Sequence, residues 1–276
     1  MLDSAVRLTL AQHSAAWRFS DLAPDRRLQL RQDLLAWMAV TLSGAQDPLV
    51  HLLAEDALEQ GGHGQATVVG HGFATSTRQA ALVNAAASQV TDGDGAMAMG
   101  SAVLLALAES RGDSGRAFMT AFAAGQDLLD RIEADRPGAA ALGAAAGAAH
   151  LLQLNAADTA AALAVAGATA PAAGGLSRPM QAGKAAADGL LAVHLAARGY
   201  GPGAETLSAS SPAVPQRVPP MPRDRGLRQP HLGHLTLPVL DQADAQSLLR
   251  LVDQLDDLPD LSPLAGMLAA RPACRH

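Results

Sequence analysis

The chain holds a single cysteine, Cys274, in its 276 residues. An intrachain disulfide and a cysteine-built metal site are therefore excluded, and a reducing, cytoplasmic setting is expected. Aromatic residues make up only 3% of the chain while hydrophobic residues make up 49%. A core short of large rings must be filled by close approach of helices through small side chains, which favours an all-α design. No basic block interrupts a formal charge of −6, so nucleic-acid and polybasic membrane partners are not expected. The first residues carry Asp3 and Arg7 inside what would have to be the apolar part of a secretory signal, and no signal is expected. The Ala-rich stretch from Ala139 to Leu176 is broken by Gln153, Asn155, Asp158 and Pro171. It reads as buried helices rather than a membrane span.

The helical period recurs along the chain. Leu28, Leu30, Leu34, Leu35, Met38 and Leu42 mark a core helix that starts near Asp21 and Pro24 and ends at Ser43-Gly44. Ala66 to Gly70 is the one short β-branched run of the first half. Helices are expected over 78–87, 101–109 and 118–131, with a loop over 92–100. Two small-residue helices are expected over 138–154 and 156–170, the first with Gly143 and Gly147 on one face where a neighbour can approach closely. Residues 208–238 are rich in proline and poor in apolar runs, which reads as an irregular linker. Leu248, Leu249, Val252, Leu255 and Leu258 then give a last amphipathic helix stopped by Pro259.

Two segments carry more than a fold. The first, Ala80 to Glu109, holds Asn84, Gln89, Asp92, Asp94 and the ending Leu105-Ala106-Leu107-Ala108-Glu109. The second, from Ser177, reads SRPMQAGKAAADGLLAVHLAARGYGPG. Together they resemble the MmgE/PrpD family, which contains 2-methylcitrate dehydratase, cis-aconitate decarboxylase and iminodisuccinate epimerase. The resemblance covers about residues 19–205 and 241–268. It implies a helical domain over 1–205, residues 206–240 standing where the family inserts an α+β lid domain, and a terminal piece over 241–276 that packs back on the helical domain.

The resemblance also shows what has changed. Gln89 stands for a histidine, Gly95 for an aspartate, Arg178 for a lysine, Gln181 for a histidine and Asp188 for an asparagine. The family's His-Pro pair and its G-W-H-x-T loop have no counterpart. A glutamine amide can donate a hydrogen bond but takes no proton at neutral pH, and an arginine clamps a carboxylate but does not act as a base. Asp92 and Asp94 are the remaining acid/base candidates, and two carboxylates sharing a site would raise one pKa. They also read as caps of the following helix or ties of a loop, which is the commoner role for aspartates in such a loop. Asn84, Gln89, Arg178, Gln181 and Lys184 are the candidate substrate-binding residues, for a small carboxylate.

No cofactor is expected. Ala182-Gly183-Lys184-Ala185 lacks both the upstream glycine and the hydroxyl residue of a phosphate loop. His231 and His234 lie three apart without further ligands nearby in sequence, so no metal is expected. His150 and His194 read as ordinary helix residues. Two functions stay open: a repurposed lyase or isomerase of a small carboxylate, and an inactive relative that binds a metabolite or a partner enzyme. A chain without the lid would leave a patch for a partner, so a homodimer or association with a full-length relative is expected.

Overall fold

The computed structural model describes residues 2–90, 95–132, 138–169, 176–201, 240 and 242–269, with the side chains of 95–99 outside that description. The helices are α1 (Ser4–Ala16), α2 (Pro24–Gly44), α3 (Pro48–Gln60), α4 (Thr77–Ala87), α5 (Gly95–Arg111), α6 (Gly115–Arg131), α7 (Ala139–Leu151), α8 (Ala156–Thr169), α9 (Arg178–Ala196), α10 (Gln242–Asp253) and α11 (Ser262–Ala269). Two three-residue strands, β1 (Ala66–Val68) and β2 (Phe73–Thr75), form an antiparallel hairpin with Thr67 opposite Ala74. The fold is thus all-α in its mass, as the sequence implies.

Helix α7 sits at the centre. It is built almost wholly of alanine, glycine and leucine, and it is buried on nearly every side. A helix apolar all round belongs inside a bundle, and α5, α6, α8 and α9 pack around this one. Glycine sets how close they come. A Cβ on Gly125 of α6 would lie 2.8 Å from the Gly143 carbonyl oxygen, and one on Gly147 would lie 2.9 Å from that of Ala121. The close-approach face expected at Gly143 and Gly147 is therefore real, and its partner is α6. Phe118 and Phe122 of α6 fill the remaining space among the largest fully buried side chains.

The hairpin is tied to the bundle by polar side chains, Glu109 of α5 and Asn84 of α4, rather than by its own length. Glu109, the last residue of the Leu-Ala-Leu-Ala-Glu ending, accepts from the Thr67 backbone N–H at 2.8 Å and from the Thr67 hydroxyl at 2.7 Å. Strand β1 also touches α11, where Gly70 N–H donates to the Leu268 carbonyl at 2.8 Å.

Helix α5 begins at Gly95, so residues 95–100 are helical where a loop was expected. Ala96, Met97, Ala98 and Met99 are all good helix formers.

Two half-buried histidines give the fold a pH dependence. Burial pushes His150 on α7 below its ordinary value of 6.5; the Ser14 carbonyl at 3.0 Å opposes the shift and the nearby Arg18 charge adds to it. His194 on α9 is lowered by burial and then by Arg198. A histidine with a depressed folded pKa is neutral in both states above its unfolded pKa. Below that, the unfolded chain takes up the proton first, so stability falls as pH falls. The urea midpoint is expected to be lower at about pH 5.5 than at about pH 7.5, with the drop reduced in the His150→Gln, His194→Gln double variant. An equal drop in both proteins would contradict the assignment.

Candidate functional site

Helix α4 starts where the Ser76 hydroxyl caps the Gln79 N–H, and α9 starts with Pro179 in its first turn, where a missing N–H costs nothing. The two helices pack extensively. Arg78 meets Asp188 at 3.7 Å, while Gly183 lies against Leu82 and Ala86. The helices therefore run antiparallel, and continuing that pairing sets Gln89, just beyond the end of α4, level with the Arg178 end of α9. Of the sequence-expected residues, Gln89 and Arg178 thus come to the same end of the helix pair, while Lys184 lies further along α9 toward Asp188 and Arg78. A Cβ on Gly183 would lie 2.8 Å from the Leu82 carbonyl oxygen, so this glycine permits the approach.

Arg178, Gln181 and Lys184 recur every three residues and lie on one strip of α9. Arg178 and Lys184 are exposed and Gln181 is partly so. Gln181 Nε2 donates to the Leu176 carbonyl at 2.7 Å, across the first turn of α9. Lys184 Nζ pairs with Asp188 Oδ2 at 2.7 Å. Because Arg78 approaches the other oxygen of the same carboxylate, two cations share one buried anion. Gln89 is buried, and its Nε2 donates to the adjacent Ser88 carbonyl at 3.1 Å.

Asn84 has a different task. Its Oδ1 accepts from the Val69 N–H at 2.9 Å and its Nδ2 donates to the Thr67 carbonyl at 2.9 Å, with the residue wholly buried. The two ends of the amide satisfy backbone groups of β1 and of the residue just after it, which α4 would otherwise bury unpaired. Asn84 locks the hairpin to α4 and so fixes the helix that carries Gln89. Asp92 and Asp94 lie outside the described residues, as do His231 and His234.

Arg78 and Asp188 belong to this cluster although the motifs did not single them out as binding residues. The Lys184-to-Asp188 spacing of four on a helix was the available signal; the approach of Arg78 depends on the α4–α9 pairing and has no local signature. Among the described residues, no group of three or more His, Cys, Asp or Glu side chains is placed to hold a metal, and no helix is long and apolar enough to cross a membrane. A cleft of about 560 Å³ lies elsewhere, at the ends of α1 and α7 and the start of α6, and shares none of the residues above.

The family model for the MmgE/PrpD N-terminal domain matches residues 8–211. No curated protein matches the chain. The matched span includes α4, α9 and the whole candidate site.

Proposed function

We propose, from the premise that this chain belongs to the MmgE/PrpD family, that it binds a small carboxylate at the shared end of α4 and α9 and does not run the family's lyase reaction. One observation carries the reading: the α4–α9 pairing brings Gln89 level with Arg178, and these are the places where the resemblance puts a histidine and a lysine. Position is kept while the proton-transfer groups are replaced. A guanidinium and amide N–H groups hold a carboxylate well, and neither takes up a proton at neutral pH.

In this reading Arg178 clamps the carboxylate, with Lys184 and Arg78 supplying the surrounding positive field and Gln89 and Gln181 donating hydrogen bonds. Asn84 acts through the helix it anchors. Residues 206–240 replace the family's lid, and the surface beside α9 is covered by a second copy of the chain or by a full-length relative in the cytoplasm.

A second reading, a repurposed lyase or isomerase, is favoured by the retention of Asn84, Asp92 and Asp94 in the family's order. It makes Asp92 or Asp94 the acid/base and Arg178 the clamp. NMR of the full chain with 2-methylcitrate and with cis-aconitate, in water and in D₂O, separates the two. Binding without turnover and without deuterium entering the carbon next to a carboxylate is expected. Turnover or exchange that is lost in Asp92→Asn or Asp94→Asn would establish the lyase reading instead.

A further inference from the structure

The cleft at the ends of α1 and α7 and the start of α6 has the chemistry of a second ligand site. Its approximately 560 Å³ is of the size small-molecule sites have. In a chain with only two tryptophans and four phenylalanines, Trp17 and Phe19 both line it, with Leu151 and Leu154 completing an apolar wall. Phe19 is pinned in place by guanidinium groups, Arg27 at 4.3 Å and Arg116 at 5.2 Å from its ring centre.

The charges of the cleft are unequal in their freedom. Asp113 is paired with Arg111 at 2.8 Å. Arg116 donates to the Asp256 carbonyl at 3.0 Å and lies 3.9 Å from the Asp257 carboxylate. Arg18 has no carboxylate partner among the described residues. Its Nη1 is held by the Ala15 and Trp17 carbonyls at 3.0 and 2.8 Å, which fixes the guanidinium beside the apolar wall and leaves its other donors for a ligand. Close by, His150 Nδ1 lies 3.0 Å from the Ser14 carbonyl, so in the neutral ring Nδ1 carries the proton and Nε2 is an acceptor. Burial disfavours a charge on this imidazole.

The backbone at the cleft is also unusual. Gln153, at the end of α7, holds a left-handed conformation with φ of 56°, and it is the one non-glycine residue with positive φ among those described. Helices commonly end this way on glycine. The Gln153 side chain lines the cleft from this position.

We propose that this cleft binds a small aryl carboxylate, its ring against Trp17, Leu151 and Leu154 and its carboxylate on Arg18, with His150 Nε2 open to a hydroxyl on the ring. The site is separate from the α4–α9 strip. Helix α5, whose 17 residues rise about 25 Å, begins just after Asp94 and ends just before Asp113, so the cleft lies past the far end of that helix. The proposal does not depend on the function assigned to the strip.

Intrinsic fluorescence of the full chain tests it, because Trp17 is partly exposed at the cleft while Trp37 is buried in the core. Benzoate and 3-hydroxybenzoate are expected to change the emission saturably, and 3-hydroxybenzoate to bind the more tightly. Arg18→Gln should weaken both by about ten-fold or more. Arg250→Gln, at an exposed arginine of α10 outside both sites, should leave both unchanged. Benzamide, the neutral isostere, and acetate, the anion without a ring, should produce no saturable change. Absence of a saturable change with benzoate, equal binding by Arg18→Gln, or equal binding of benzamide would overturn the proposal. If Arg18→Gln were poorly folded, Arg18→Lys should still lose affinity, because a lysine cannot keep the forked contacts.

Discussion

Gly115→Ala is expected to lower stability by about 3 kcal/mol and to release the C-terminal segment from the bundle. A Cβ on Gly115 would lie 1.7 Å from the Leu255 carbonyl oxygen, a distance that no side-chain adjustment relieves because the obstacle is backbone. The same glycine donates its N–H to the Leu258 carbonyl at 3.0 Å. Around it the turn at Leu255–Asp257 is held by Arg31, 2.9 Å from the Asp256 carboxylate, and by Arg116 on the Asp256 carbonyl. Leu255, Leu261, Leu264 and Leu268 are all buried behind this clamp. The melting temperature should fall by roughly 5–10 °C, and amide exchange should rise across α10 and α11. Gly266→Ala is the control, since a Cβ there meets nothing within 4 Å and alanine is the better helix former. A Gly115→Ala protein with unchanged melting and exchange would show that the clamp is not as described.

Gly44→Ala is expected to cost a similar amount of stability and, unlike Gly115→Ala, to impair the candidate site. The last residue of α2 sits against the last turn of α4, where a Cβ would lie 1.9 Å from the Ala87 carbonyl oxygen. The chain must separate there by an ångström or more, and the displaced turn is the one that leads into Ser88 and the buried Gln89. The two substitutions make a matched pair: both overpack backbone against backbone, at about 1–3 kcal/mol or above, yet only one lies beside the strip. Carboxylate affinity, measured below the melting transition of each variant, should drop for Gly44→Ala and stay near the parent value for Gly115→Ala. Equal affinity in both would mean that the end of α4 does not contribute to binding.

Much of the bundle is legible from periodicity and composition, since α2 buries one stripe while α6 and α7, buried on nearly every side, show as runs of apolar and small residues. Leu30, Leu34 and Leu42 of α2, the phenylalanines of α6 and the Gly143–Gly147 face of α7 each point to the packing they make, whereas Leu28, expected in the same core stripe, is exposed. Helices α1 and α3 are harder to read. Only Leu10, Ala11 and Ser14 of α1 are buried, and only Val50, Ala54 and Ala57 of α3; these stripes are narrow and built mostly of small residues, and in α3 the exposed Leu52 and Leu58 obscure the pattern. A local signal for α3 did exist: Asp47 accepts from the Leu49 N–H at 2.8 Å ahead of Pro48, an N-cap followed by proline. Strand β2 is too short to carry a pattern of its own and exists through pairing with β1.

The site was legible in part for a different reason. The motifs name the residues on each segment, but the antiparallel pairing of α4 with α9 is tertiary, and it alone makes Gln89 and Arg178 neighbours in level. Asn84 and Glu109 illustrate the limit of motif reading. Both are polar, both sit in the motif-bearing segment, and both serve the hairpin backbone.

Calorimetric titration of the full chain and of Arg178→Ala with 2-methylcitrate and cis-aconitate tests the central claim most directly. The account predicts saturable binding of at least one of these acids to the parent chain. In the variant that affinity should fall by about ten- to a hundred-fold, as the loss of a charge-assisted contact requires. No binding by the parent chain, or binding that Arg178→Ala leaves intact, would contradict it.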